Sequence, residues 1–103
     1  MTLIDANIDT LNRLCIKHKV QELYLFGSIL TDKFSDTSDI DLLIQFQPID
    51  LFEYFDNYMQ LKEALEQLFQ RSVDLVENQA IRNPIFRRII EREKQLIYER
   101  KSA

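Results

Sequence analysis

Glycine is almost missing from this 103-residue chain: there is one, Gly27, directly after the apolar stretch ELYLF. Every other turn must be made with Asp, Asn, Ser or Pro. A chain that avoids glycine yet keeps one at a strand end needs it there. Glycine reaches positive φ without strain and lets a ligand approach the backbone; a simple tight turn is the plainer account of Gly27-Ser28 taken alone. Cysteine is equally scarce, and the single Cys15 can form no internal disulfide, which suits a reducing cytoplasm. With one histidine, His18, and no Cys or His at ligand spacing, a zinc site is not expected. His18 falls near a helix C-terminus, where the helix dipole accounts for it. No apolar run approaches the roughly 18 residues of a bilayer span, so no membrane role is expected. The start MTLIDANIDT lacks the basic and apolar segments of a signal peptide. Positive charge is short as well: 13 Lys and Arg stand against 17 Asp and Glu, a net charge of −4. Direct nucleic-acid binding needs a positive surface to displace counterions and is not expected. A single triphosphate needs only a metal and a few donors, so a nucleotide remains open.

What is present predicts one compact domain over residues 1–103, because a hydrophobic share of 46% supports a real core. Ile4, Ile8, Leu11 and Cys15 recur at helical spacing and predict one helix from Thr2 to about Lys19, with Thr2 as cap and Asp5 completing a weak capping box. Residues 22–26 read as a strand. Ile40, Leu42, Ile44 and Phe46 alternate with Asp39, Asp41, Leu43 and Gln45 in a second strand, closed by Pro48. A long helix from Leu51 to Phe69 carries the stripe Tyr54, Tyr58, Leu61, Leu65, Leu68. Residues 72–77 read as a third strand. Asn83-Pro84 starts a last helix whose apolar face is Ile85, Phe86, Ile89 and Ile90. Leu96 to Tyr98 either extends that helix or forms an edge strand. The sum is an α/β (α+β) fold, a small mixed sheet of three to four strands with helices packed on one side. The loop between the first two strands is too short for a crossover helix, which predicts an antiparallel pair there.

The chemistry gathers around three acids. In a strand, residues two apart share a face, so Asp39 and Asp41 project side by side. Their repulsion is relieved by a cation, and Mg²⁺ favours carboxylates together with phosphate oxygens. The plainer alternative is a solvated strand entry with Ser38 or Asp39 capping a turn. Asp74 interrupts the apolar strand SVDLVE, a placement with low β-propensity. If its strand lies beside the Asp39-Asp41 strand, the three carboxylates meet and suit two-metal phosphoryl chemistry. Otherwise an ion pair with Arg71 or Arg82 explains it. Cys15 and the tyrosine stripe are core by their helical phase. Arg82, Arg87, Arg88, Arg92 and Lys94 alternate with Glu91 and Glu93 and read as a solvated helix face.

Leu25-Phe26-Gly27-Ser28, then Asp39-Ile40-Asp41-Leu42-Leu43-Ile44, then Val73-Asp74-Leu75-Val76, together resemble the polymerase-β-like nucleotidyltransferase superfamily. Within it, the chain is most similar to the minimal nucleotidyltransferases of prokaryotes. The resemblance implies a nucleotidyltransferase fold in which Gly27 and Ser28 hold a nucleoside triphosphate and Asp39, Asp41 and Asp74 are catalytic and ligate Mg²⁺. It implies transfer of AMP from ATP to a protein hydroxyl, a tyrosine of a HEPN-domain toxin, by a cytoplasmic antitoxin. The combination of Gly-Ser, Asp-x-Asp and distal Asp is specific, where any single piece is not. Many relatives continue with a basic turn of the form Arg-x-Arg-Gly, and here Ile29-Leu30-Thr31-Asp32 stands in its place. That predicts weaker triphosphate binding, with Lys33 or Arg71 as possible substitutes, and keeps open an antitoxin that acts by complex formation alone.

Overall fold

A computed structural model describes residues 2–101. The expected first helix is two: α1 (Thr2–Ala6) and α2 (Ile8–Lys17). Asn7 divides them, because its Nδ2 donates to the Leu3 carbonyl at 2.8 Å and its backbone N–H to Ile4 at 3.1 Å. A short amide side chain competes with the helix ladder in this way. The apolar stripe survives the break, with Ile4, Leu11 and Cys15 buried. The Thr2 side chain, and with it the expected capping contact, lies outside the described residues. At the far end His18 caps α2 and is itself buried. Its Nδ1 lies 3.0 Å from Asn57 Oδ1 while Asn57 Nδ2 donates to the His18 carbonyl at 2.8 Å. That reciprocal pair accounts for a buried histidine more fully than the helix dipole does.

Four strands follow: β1 (Val20–Phe26), β2 (Ile40–Phe46), β3 (Val73–Glu77) and β4 (Gln95–Glu99). Their order in the sheet is β3-β2-β1-β4. β1 is antiparallel to β2, as the short first connection predicts, and also to β4, whereas β2 and β3 are parallel. The parallel pair requires a crossover, and α3 (Leu51–Phe69) supplies it. Asp50 caps α3 by accepting from the Phe52 N–H at 2.9 Å, and Gln70 ends it in the left-handed region at φ 54°. Leu96 to Tyr98 belongs to the edge strand β4.

The helices do not all lie on one side. Leu23, Leu25, Ile40, Leu42, Ile44, Val73 and Leu75 form one core with Ile4, Leu11 and Cys15 from α1 and α2 and with Leu61, Leu65 and Phe69 from α3. Phe26 and Leu43 point the opposite way and are covered by Ile90 of α4 (Pro84–Glu93). Strand alternation compels this: a strand that sends apolar residues to both faces needs cover on both. Asn83 caps α4 as expected, its Oδ1 accepting from Ile85 at 2.8 Å and Phe86 at 3.2 Å. The predicted apolar face of α4 is only partly used. Ile90 is buried, but Ile85 remains 68% exposed, and Phe86 and Ile89 are also exposed.

Candidate active site

The site lies on the face that α4 covers only in part. Phe26, the last residue of β1, is the antiparallel partner of Asp41. The chain then turns at Gly27, φ 77°, into a short 3-10 segment, Gly27–Leu30. Glycine is needed here for two reasons. Its φ is in the left-handed region, and a Cβ at this position would stand 2.3 Å from Asp41 Oδ2. The Ser28 N–H beyond it favours the charged form of the Asp41 carboxylate. The stretch that replaces the basic turn has a structural use: Ile29 is buried in the main core and Leu30 packs against it. Thr31 closes the turn by donating to the Ser28 carbonyl through its backbone at 2.9 Å and its hydroxyl at 2.8 Å.

Asp41 and Asp74 are direct partners in the parallel β2–β3 register. Their flanking residues Ile40, Leu42, Val73 and Leu75 face the main core, so both carboxylates project from the opposite face. Asp39 is exposed and immediately precedes β2 rather than forming part of it. Burial, then the charges of Asp74 and Asp39, push the half-buried Asp41 carboxyl above its ordinary value, and the Ser28 N–H opposes the shift. Asp39 and Asp74 therefore both act on Asp41, and Gly27 and Ser28 border the same carboxylate. Among the described residues no ion pair involves Asp74, so pairing with Arg71 or Arg82 does not account for it.

Arg71 is engaged elsewhere. Its Nη1 donates to the Ser35 carbonyl at 3.0 Å and the Ser38 carbonyl at 3.1 Å, and its guanidinium lies 4.7 Å from the centre of the Phe34 ring. It is no substitute for the missing basic turn. Other supports were invisible in the sequence. Glu66 Oε2 accepts from the Val73 N–H at 3.0 Å and so fixes the start of β3. The Tyr58 hydroxyl of α3 donates to the Leu75 carbonyl, beside Asp74. Arg87 ties α4 to the loop before it, donating to the Asn78 carbonyl at 2.7 Å and to Ile81 at 3.2 Å. Charges on that helix and its C-cap Lys94 form three pairs: Arg87–Glu91, Arg92–Glu93 and Lys94–Glu91.

The donor chemistry suits a hard cation. Among the described residues no three acidic, His or Cys side chains already form a metal cage. Mg²⁺ does not require one, because it is held by one or two carboxylates with water and substrate phosphates. Adjacent carboxylates that disfavour each other's ionisation are relieved by such a charge.

The sequence matches the polymerase beta nucleotidyltransferase family over residues 9–103. The chain belongs to this family. Two relatives, both from Methanocaldococcus jannaschii, carry the name "Putative protein adenylyltransferase". One is 35% identical over 82 residues, 80% of this chain and 79% of its own length. The other is 36% identical over 83 residues, again 80% and 79%. A solved structure described as "putative minimal nucleotidyltransferase" superposes with a TM-score of 0.74 at 29% identity, covering 92% of this chain and 95% of the other. A chain from the Shewanella oneidensis complex of tri-AMPylated HEPN toxin with MNT antitoxin superposes with a TM-score of 0.63 at 19% identity, covering 93% and 72%. That last likeness concerns the fold. No helix among the described residues is long and apolar enough to cross a membrane.

Proposed function

We propose that this nucleotidyltransferase transfers AMP from ATP, with Mg²⁺, to a tyrosine hydroxyl of a HEPN-domain toxin and acts in the cytoplasm as its antitoxin, as one minimal domain. The observation that carries this reading is the register pairing of Asp41 with Asp74 beside Gly27 and Ser28. Gly27 lets the Asp41 carboxylate lie against the backbone at the turn, and the Ser28 hydroxyl beside it is a donor for the triphosphate. Asp39, Asp41 and Asp74 would hold the metal. When bound, Mg²⁺ neutralises phosphate charge and favours in-line displacement. The acceptor oxygen bonds to the α-phosphorus as the bond to the pyrophosphate oxygen breaks. Asp74, exposed on the outermost strand, takes the hydroxyl proton. Relatives named as protein adenylyltransferases support the choice of AMP and of a protein acceptor.

The test is co-expression with the protein encoded beside this gene. With ATP and Mg²⁺ the neighbour gains nucleotidyl mass, and Asp41→Asn prevents it. Modification that persists in the variant overturns the assignment.

A second reading rests on the absence of basic side chains at Ile29-Leu30 and on apolar side chains exposed elsewhere, above all Phe52 at 93% and Leu51 at 83%. An antitoxin that neutralises by complex formation would use such surfaces and have less need of triphosphate. On that reading Asp41→Asn leaves neutralisation intact. Loss of neutralisation with the complex retained excludes it.

A further inference from the structure

Arg71 and Ser38 stand just upstream of two parallel strands. Ile40 opens β2 and pairs with Val73 of β3, and the Ile40 N–H donates to the Ser72 carbonyl at 3.0 Å. One step further upstream the backbone ladder gives way to a side chain, as Arg71 Nη1 reaches the Ser38 carbonyl at 3.1 Å and the Ser35 carbonyl at 3.0 Å. Stacking on Phe34 holds the guanidinium plane at 4.7 Å. The turn it grips is closed locally by the Ser38 hydroxyl, which accepts from the Ser35 N–H at 3.0 Å, and by a backbone bond from Ser38 to Ser35 at 3.1 Å. Those bonds shape the turn but do not fix it to the sheet. Arg71 does, and the residue after Ser38 is Asp39.

We propose that Arg71 is a positioning residue for Asp39: by fixing the Ser38 carbonyl it sets the carboxylate that follows for the metal–triphosphate. The proposal rests on the reading of Asp39 as a metal ligand given above. The same arginine lies three residues before Asp74, so one guanidinium joins the segments that present two of the three acids. A flexible turn would leave Asp39, exposed and outside the β ladder, to be ordered at the moment of binding, which weakens affinity. The two charge-assisted bonds lower that cost.

The experiment is a double-mutant cycle on Mn²⁺–ATP binding by calorimetry, with Arg71→Met, Asp39→Asn and the pair. Methionine retains an apolar stem and removes both donors. Arg71→Met should weaken Mn²⁺–ATP binding about tenfold when Asp39 is present and have no effect once Asp39→Asn is in place. Amide exchange should quicken at Ser38 to Ile40 and stay unchanged in α3. A purely structural role predicts the same loss in both backgrounds, and that result, or an unchanged affinity, overturns the proposal. Equal binding by wild type and Asp39→Asn instead overturns the metal-ligand reading of Asp39, and the role of Arg71 with it. Should Arg71→Met fail to fold, Arg71→Lys retains donors without the stacked plane. It should show the same dependence on Asp39, with a loss of about threefold.

Discussion

The two faces of β2 are built from alternate residues of one heptapeptide, and they differ in almost every physical respect. Ile40, Leu42, Ile44 and Phe46 are buried against α1, α2 and α3, where burial of each such side chain contributes about 1.5–3 kcal/mol. Asp41, Leu43 and Gln45 face the other way, where α4 covers Leu43 and leaves Asp41 half open. One face holds the fold and the other concentrates negative charge at some cost to stability. A single strand can do both because side chains alternate strictly, so a change on one face leaves the other in register.

That separation can be tested by loss on each face in turn. The largest effect is expected from Asp41→Asn, which should reduce nucleotidyl transfer by about 10³-fold while circular dichroism and the urea midpoint show an intact fold. Leu65→Ala, on the α3 side, should cost about 2–5 kcal/mol in urea unfolding, with transfer per folded molecule unchanged. If transfer by the folded fraction falls as well, the faces are not independent. Gly27→Ala joins the two, because it forces a left-handed conformation at about 1–2 kcal/mol and drives a methyl group toward Asp41. Stability and Mn²⁺–ATP affinity should fall together. The smallest effect is one of sign. Asp41 has a folded pKa above its unfolded value, so its contribution to stability is full at low pH and is lost as pH rises through the folded pKa. Asp41→Asn should therefore give a slightly higher Tm than wild type at neutral pH, and the difference should close as the solution is acidified. A lower Tm at neutral pH would show that the Ser28 N–H bond outweighs burial and the neighbouring acids.

Much of the molecule was legible because local and global signals agree. The α3 boundaries follow from one continuous apolar stripe, and α4 begins where Asn-Pro demands. The lone glycine marked a place of close approach, and the structure supplies the group approached, Asp41. Convergence of Asp41 and Asp74 was conditional on strand neighbours, which periodicity cannot give, and the parallel register brings them together. What escaped the sequence were choices made by single polar side chains or by tertiary contact. Asn7 looks like any polar residue in a helix until its amide finds the Leu3 carbonyl. The face taken by α4 depends on Phe26 and Leu43 needing cover, and strand alternation does not say which helix supplies it. The helix dipole was a sufficient account of His18 only while its partner Asn57, 39 positions away, was unknown. Arg71 was read as a possible phosphate ligand or partner for Asp74, because no local pattern announces a side chain that continues a backbone ladder.

β3 has a neighbour on one side only. Asp74 consequently belongs to the rim of the sheet, and a reacting group can come alongside it without entering a tunnel. On the function proposed above, an acceptor as bulky as a folded protein could reach Asp74 there. The same openness admits solvent, so unproductive hydrolysis would have to be suppressed by the visiting surface itself. Selectivity would then come from the fit of two molecules, and a fragment of the acceptor should be a far poorer substrate than the whole.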